Sequence, residues 1–192
     1  MSTQEVEKQD VGYETPPIAD LLTLMLKNRR ATGAYNEVWP RIIISDAATA
    51  RDKTLLRRLG ITHILNAADG PAHIHTGAEF YWDTHTEYHG IEAADSRLFS
   101  IAPFLQPAAD FIHHALQGAG KLLVHCARGV SRSSTLVLAY LMIYEHLSIT
   151  DAIAAVSAHR NILPNAGFLQ QLRVLDTSLM QSRHASTLTV IN

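Results

Sequence analysis

Residues 121–145 constrain the fold of this 192-residue chain more than any other stretch. After a Gly118-Ala119-Gly120 turn comes Lys121-Leu122-Leu123-Val124-His125, a short and mainly apolar run of the length of a buried strand. Residues 133–145 then form an apolar run long enough for a buried helix. Between them, Cys126-Ala127-Arg128-Gly129-Val130-Ser131-Arg132 must turn the chain from the strand directly into the helix N-terminus. A strand feeding a helix in this way is a building unit of an α/β domain.

The turn has the makings of an anion site. Unpaired N–H groups of the first helical turn and the positive end of the helix dipole converge on whatever the loop holds. Ala127, Arg128, Gly129, Val130, Ser131 and Arg132 are therefore the candidate phosphate contacts, and Gly129 permits a positive φ. The planar fork of Arg132 can grip two phosphate oxygens at once, which a lysine could not. Cys126 sits at the focus of these donors, a setting that lowers a thiol from about 8.5 into a range of roughly 3.5 to 7.5. A thiolate beneath an anion cradle points to in-line attack on a phosphoryl group, giving a phosphocysteine that water later hydrolyses. His125 would support the loop, and Ser133 could donate to the sulfur and ease its departure. A lone buried cysteine or histidine is usually an inert core residue; the combination in one strand-loop-helix unit outweighs that reading. The Gly-x4-Gly-Lys-Ser/Thr loop of nucleotide-binding proteins is absent.

Elsewhere the pattern alternates between helix and strand. Residues 1–15 read as a polar N-terminal tail, Pro16 and Pro17 open a helix over 18–30, and 37–40 and 41–45 read as two short strands broken by Pro40. A helix over 47–59 stops at Gly60. A strand over 61–66, a loop over 67–77, and short strands near Phe80-Tyr81 and 88–91 follow. Helices are expected over 107–116, 150–160 and 167–181, and residues 184–192 are left unassigned as a C-terminal tail. One domain over residues 16–183 accommodates all of this. The single cysteine excludes an internal disulfide, no N-terminal run has the makeup of a signal peptide, and no apolar run approaches the ~20 residues of a membrane span. A soluble protein of a reducing compartment is expected, cytoplasmic with the nucleus as the alternative. The formal net charge of −2 gives no overall pull toward nucleic acid or acidic membranes.

The stretch His125 to Ser133 matches the signature of protein tyrosine phosphatases, and its continuation through 134–142 resembles the atypical dual-specificity branch. Further matches at 36–40, 60–68 and 164–169 extend the likeness from Tyr35 to Asp176, closest to the small muscle- and testis-type enzymes. The resemblance implies a tyrosine-phosphatase-like α/β fold with a central, mostly parallel sheet of about five strands flanked by helices. It implies hydrolysis of phosphotyrosine and of phosphoserine or phosphothreonine in phosphoprotein substrates, without a metal or cofactor. The general acid of the family falls at Asp95, directly after a predicted strand, with Glu92 as the weaker substitute; the plain reading of Asp95 is a turn-capping loop residue. Arg160 and Asn165 match positions near the phosphate loop and are candidate substrate contacts, or else a helix C-terminal cation and a helix cap.

Two other readings remain open. A phosphoinositide or RNA 5′-phosphate phosphatase could use the same cradle, although lipid-directed relatives usually carry lysines inside the loop. A phosphoprotein-binding module that has lost turnover would not need Cys126, Arg132 and Asp95 together. Arg128 stands where some relatives carry an acid, so it either shifts substrate charge preference or points to solvent. Eleven histidines, including His73, His75, His113 and His114, lack zinc-site spacing, and no second cysteine accompanies them. The sequence leaves the oligomeric state open.

Overall fold

The structure, a computed structural model, describes residues 13–29 and 31–190, apart from the side chains of 186–190. The chain opens with helix α1 (Ile18–Lys27), which turns Leu21 and Met25 inward. A hairpin follows, β1 (Tyr35–Trp39) and β2 (Ile42–Ser45), paired antiparallel. Its tight turn holds Arg41 at a positive φ of 66°, and the Arg41 N–H donates to Glu37 at 2.8 Å.

The helical run expected over 47–59 divides at Asp52 into α2 (Ala47–Arg51) and α3 (Lys53–Leu59), because Asp46 and Asp52 each cap a helix start. Gly60 ends α3 in the left-handed conformation, φ 72°. Next come β3 (His63–Asn66), a single turn α4 (Gly77–Phe80) and β4 (Glu87–Gly90). The strand expected near Phe80-Tyr81 is therefore absent: Phe80 ends α4, and Tyr81 is buried with its hydroxyl donating to the Ala50 carbonyl at 2.9 Å. Two adjacent aromatics satisfy β-propensity, but burial against α2 decides the outcome.

The second half carries α5 (Ala102–Gln117), β5 (Leu122–His125), α6 (Arg132–Ile143), α7 (Ile149–Ser157) and α8 (Ala166–Val190). Helix α5 begins a turn before Pro107, since Pro103 sits at its start, where a fixed φ suits helix entry. Helix α8 runs on to Val190 through residues left unassigned in the sequence. Intrinsic propensity is a weak prior, and a helix whose first half is packed extends at one hydrogen bond per added residue.

The N-terminal tail expected over 1–15 falls partly outside the described residues, which begin at Tyr13. Tyr13 and Thr15 are not free: both hydroxyls donate to the Asp176 carboxylate at 2.6 Å. Asp176 also accepts from the Ile149 N–H at 2.9 Å, so one carboxylate ties the chain entry to the starts of α7 and the middle of α8.

The five strands form one mixed sheet in the order β1-β2-β5-β3-β4, parallel except at the β1-β2 edge. Strand β5 lies at its centre and all four of its residues are buried, which explains its unbroken apolar run. Helix α6 is buried from Arg132 to Met142, as expected of a helix apolar on every side. The loop from β5 into α6 thus emerges at the carboxyl edge of a parallel sheet, where open α/β sheets place their ligand sites.

Candidate active site

The loop from Cys126 to Ser131 wraps its backbone around the cysteine sulfur. Cys126 is 2 % exposed, and its Sγ lies 3.2 Å from the Gly129 N–H and 3.3 Å from the Ser133 hydroxyl. Burial pushes the thiol up, but the Ser133 hydroxyl, the Ser133 and Val130 N–H groups and the Arg132 charge outweigh it, so the net shift is downward. The thiolate is accordingly easier to form here than on a free cysteine.

Gly129 is required at its position on two counts. It adopts a positive φ of 65°, and a Cβ there would collide with the Ser45 carbonyl and with the Arg160 guanidinium.

Arg160 holds the loop from behind. Its guanidinium donates to the carbonyls of Gly129 at 2.7 Å, Arg128 at 3.1 Å and Gly33 at 3.1 Å, and to the Asn36 side chain at 2.7 Å. At 3 % exposure it faces the interior side of the loop. Burial lowers its pKa from the ordinary guanidinium value. Asn36, which starts one of the matched motifs, is thereby part of the support; nothing local in the sequence marks it as Arg160's partner.

Arg132 begins α6 and is nearly buried, with Nη1 donating to the Ala93 carbonyl at 3.1 Å. Its Nε has no hydrogen-bond partner among the described residues. Asp95 lies on the loop after β4, with Oδ2 4.0 Å from that nitrogen. Its other oxygen accepts from the Ser131 hydroxyl at 2.7 Å and from the Asn165 amide at 2.9 Å. Asn165 also caps α8 by accepting from the Phe168 N–H at 3.0 Å. Asp95, Ser131 and Asn165 thus form one polar cluster at the mouth of the loop. Glu92 points elsewhere, with its carboxyl lying against Gly70.

His125 lies under the loop, fully buried, and neither ring nitrogen has a partner among the described side chains. Burial lowers its pKa to about 4, so it is neutral at physiological pH. Its backbone is fixed, the carbonyl accepting from the Ala67 N–H at 2.8 Å. Among the described residues no group of three or more His, Cys, Asp or Glu could hold a metal.

A cysteine of lowered pKa, a cradle of N–H groups, a buried arginine edge and a carboxylate now stand together at one loop, and comparison with known proteins decides what kind of protein builds this. The pattern of the dual specificity phosphatase catalytic domain matches residues 42–178. The chain belongs to the dual specificity phosphatases. The phosphatase is 50 % identical over 169 residues to dual specificity protein phosphatase 13B of mouse, covering 87 % of this chain and 85 % of that protein. The human protein of that name matches to the same extent, 50 % over 169 residues. Among solved structures, human DUSP28 superposes with a TM-score of 0.67 at 25 % identity, over 78 % of this chain and 97 % of that one. DUSP15 does so with a TM-score of 0.64 at 29 % identity, over 78 % and 95 %. The phosphatase is thus a cysteine-dependent protein phosphatase of the small, atypical kind, whose family works through a phosphocysteine intermediate. No described helix is long and apolar enough to cross a membrane.

Proposed function

We propose that the Cys126 thiolate attacks phosphotyrosine, phosphoserine and phosphothreonine side chains of proteins, with Asp95 as general acid. The observation that carries this assignment is the sulfur's position beneath the Gly129 N–H and beside the Ser133 hydroxyl, at the foot of the loop.

In the first step the sulfur forms a bond to phosphorus as the ester P–O bond breaks. Protonated Asp95 gives its proton to the departing oxygen. The N–H groups of residues 127–132 and the Arg132 fork hold the equatorial oxygens, the charge developing there being the main quantity to stabilise. A buried guanidinium nitrogen without a partner supports this role, since a phosphate oxygen would complete it. In the second step the Asp95 carboxylate takes a proton from water, whose oxygen attacks phosphorus while the S–P bond breaks. The Ser133 hydroxyl stabilises the returning thiolate. His125, neutral and buried, and Arg160, bonded to the loop carbonyls, are positioning residues; Asn165 positions Asp95.

Dependence on a reduced thiolate favours a reducing compartment, cytoplasmic with the nucleus as the alternative. The test is turnover of p-nitrophenyl phosphate and of matched phosphotyrosine, phosphoserine and phosphothreonine peptides without added metal. Hydrolysis of all three classes, inhibited by vanadate, is expected; activity on a phosphoinositide but on no phosphopeptide would contradict the proposal.

A further inference from the structure

The loop that carries Asp95 is fastened to α8 beyond the acid as well as at it. Residues 91–101 join β4 to α5, and Ser96, Arg97 and Leu98, directly after Asp95, are exposed. The next contacts with the rest of the molecule come from the first two turns of α8. Gly167 lies so close to the Arg97 carbonyl that a Cβ there would collide with it. One turn on, the Gln171 amide donates to the Phe99 carbonyl at 3.0 Å and to the Gly167 carbonyl at 3.1 Å, while its oxygen accepts from the Ala102 N–H at 2.8 Å. Gly167 and Gln171 stand four residues apart, on one face of the helix. The donors and the acceptor of this half-buried amide are thus spent on holding the exit of the acid loop to α8. On the entry side, Arg132 holds the Ala93 carbonyl at 3.1 Å. The backbone that carries Asp95 is therefore pinned on both sides, and Ser131 and Asn165 direct its carboxyl.

We propose that Gln171 is a positioning residue for the proton transfer: by tying Phe99 and Ala102 to α8, it fixes where the Asp95 carboxyl meets the leaving oxygen. This deepens the phosphatase assignment and rests on Asp95 as its general acid. A donated proton must travel between heavy atoms roughly 2.6–3.2 Å apart, so a shift of about 1 Å in the loop backbone costs rate. Ile101, at the N-cap of α5, supplies no side-chain cap, so Gln171 also satisfies a donor at that helix start. The two tasks fall to opposite ends of the amide. The oxygen caps α5 through Ala102, and the nitrogen holds the loop through Phe99. Neither bond reaches the phosphate cradle, so the loss of either should spare phosphate binding.

Two variants separate the tasks. Gln171→Leu removes every bond of the amide, whereas Gln171→Glu keeps an acceptor for the Ala102 N–H and loses the donor to Phe99. The quantity read is kcat/KM on a phosphoserine peptide and on a series of aryl phosphates, which reports the steps up to departure of the leaving group. Both variants should lose about tenfold on the phosphoserine peptide and less than about twofold on p-nitrophenyl phosphate, with inhibition by inorganic phosphate unchanged. The plot of log kcat/KM against leaving-group pKa should steepen. Because Gln171→Glu retains the α5 cap, its losses report the loop anchor alone, and it carries the test by itself if Gln171→Leu fails to fold. In an Asp95→Asn background neither substitution should lower the phosphoserine rate further, since the two residues act as one unit. Equal losses on all substrates, full phosphoserine activity in Gln171→Glu, or losses that add to those of Asp95→Asn would overturn the positioning role and leave the phosphatase assignment intact. Asp95→Asn falling alike on the phosphoserine peptide and p-nitrophenyl phosphate would remove the acid assignment, and the positioning role with it.

Discussion

The loop that carries the nucleophile and the loop that carries the acid are held in place by different means. The first is anchored by backbone: it leaves the central strand, enters a buried helix, and is clasped from the interior by Arg160. The second runs from β4 to α5 over the surface. Asp95 is kept at the mouth by two side-chain hydrogen bonds, from Ser131 and Asn165, with its own side chain about one third exposed. Attack by sulfur demands a fixed anion cradle, because stabilisation of developing charge depends on donors that need no reorganisation. Proton delivery needs reach to leaving groups of different length, and tolerates a lighter tether.

That contrast predicts a graded response to mutation. Cys126→Ser removes the nucleophile and should abolish turnover, by at least about 1,000-fold, while phosphopeptide binding persists. Residual wild-type-like turnover would place the nucleophile elsewhere. Asp95→Asn should lower kcat on phosphoserine peptides by about 100-fold and on p-nitrophenyl phosphate by much less, since an acidic leaving group needs little protonation. Equal losses on the two substrates would argue that Asp95 only holds the loop.

Arg160→Met should act on both stability and kcat. It leaves the buried Gly129 carbonyl and the half-buried carbonyls of Arg128 and Gly33 without this donor, a cost of about 2 kcal/mol in denaturant unfolding, and it frees Gly129 and Arg128. An intact melting curve with unchanged kcat would show that the clasp is dispensable. Asn165→Ala both loosens the acid and removes the α8 cap, and should cost about fivefold in kcat together with about 1 kcal/mol in unfolding, the worth of one hydrogen bond and one helix cap.

The pH response should also separate the two kinds of support. His125 has its pKa lowered to about 4 by burial, against an ordinary value of 6.5. The unfolded chain therefore binds a proton that the folded one refuses as pH falls from 6.5 toward 4. Stability should be unaffected by this group above that window and fall through it, by up to about 3 kcal/mol. A stability curve flat between those values would contradict a buried neutral imidazole.

The phosphate loop was legible in the sequence because its parts are consecutive: strand, cysteine, glycine, arginine and serine lie within one short run, and the helix dipole acts locally. The inner strands β2, β3 and β5 were legible for the same reason, each by its own apolar run, whereas the edge strands β1 and β4 carry polar residues and Phe80-Tyr81 read as a strand that the fold does not contain. The acid site was not. Asn165 meets Asp95 across 70 positions, and Arg160 reaches Asn36 across 124, so no local pattern links them. Family resemblance pointed to Asp95, Arg160 and Asn165 as residues near the loop. Their tasks differ in ways that only the packing reveals: Arg160, a candidate substrate contact in the sequence, turns its fork to loop carbonyls on the interior side. The tail residues Tyr13 and Thr15 were equally opaque, since their partner Asp176 lies at the far end of the chain.

In the proposed reaction a phosphoryl group passes through the sulfur of Cys126. Rapid acid quench during turnover of a phosphotyrosine peptide, followed by peptide mapping by mass spectrometry, tests it directly. One phosphoryl adduct is expected on the peptide containing Cys126, more abundant in Ser133→Ala, where departure of the thiolate is slowed, and absent in Cys126→Ser. Turnover in which the quenched Ser133→Ala enzyme never carries phosphorus on Cys126 would contradict it.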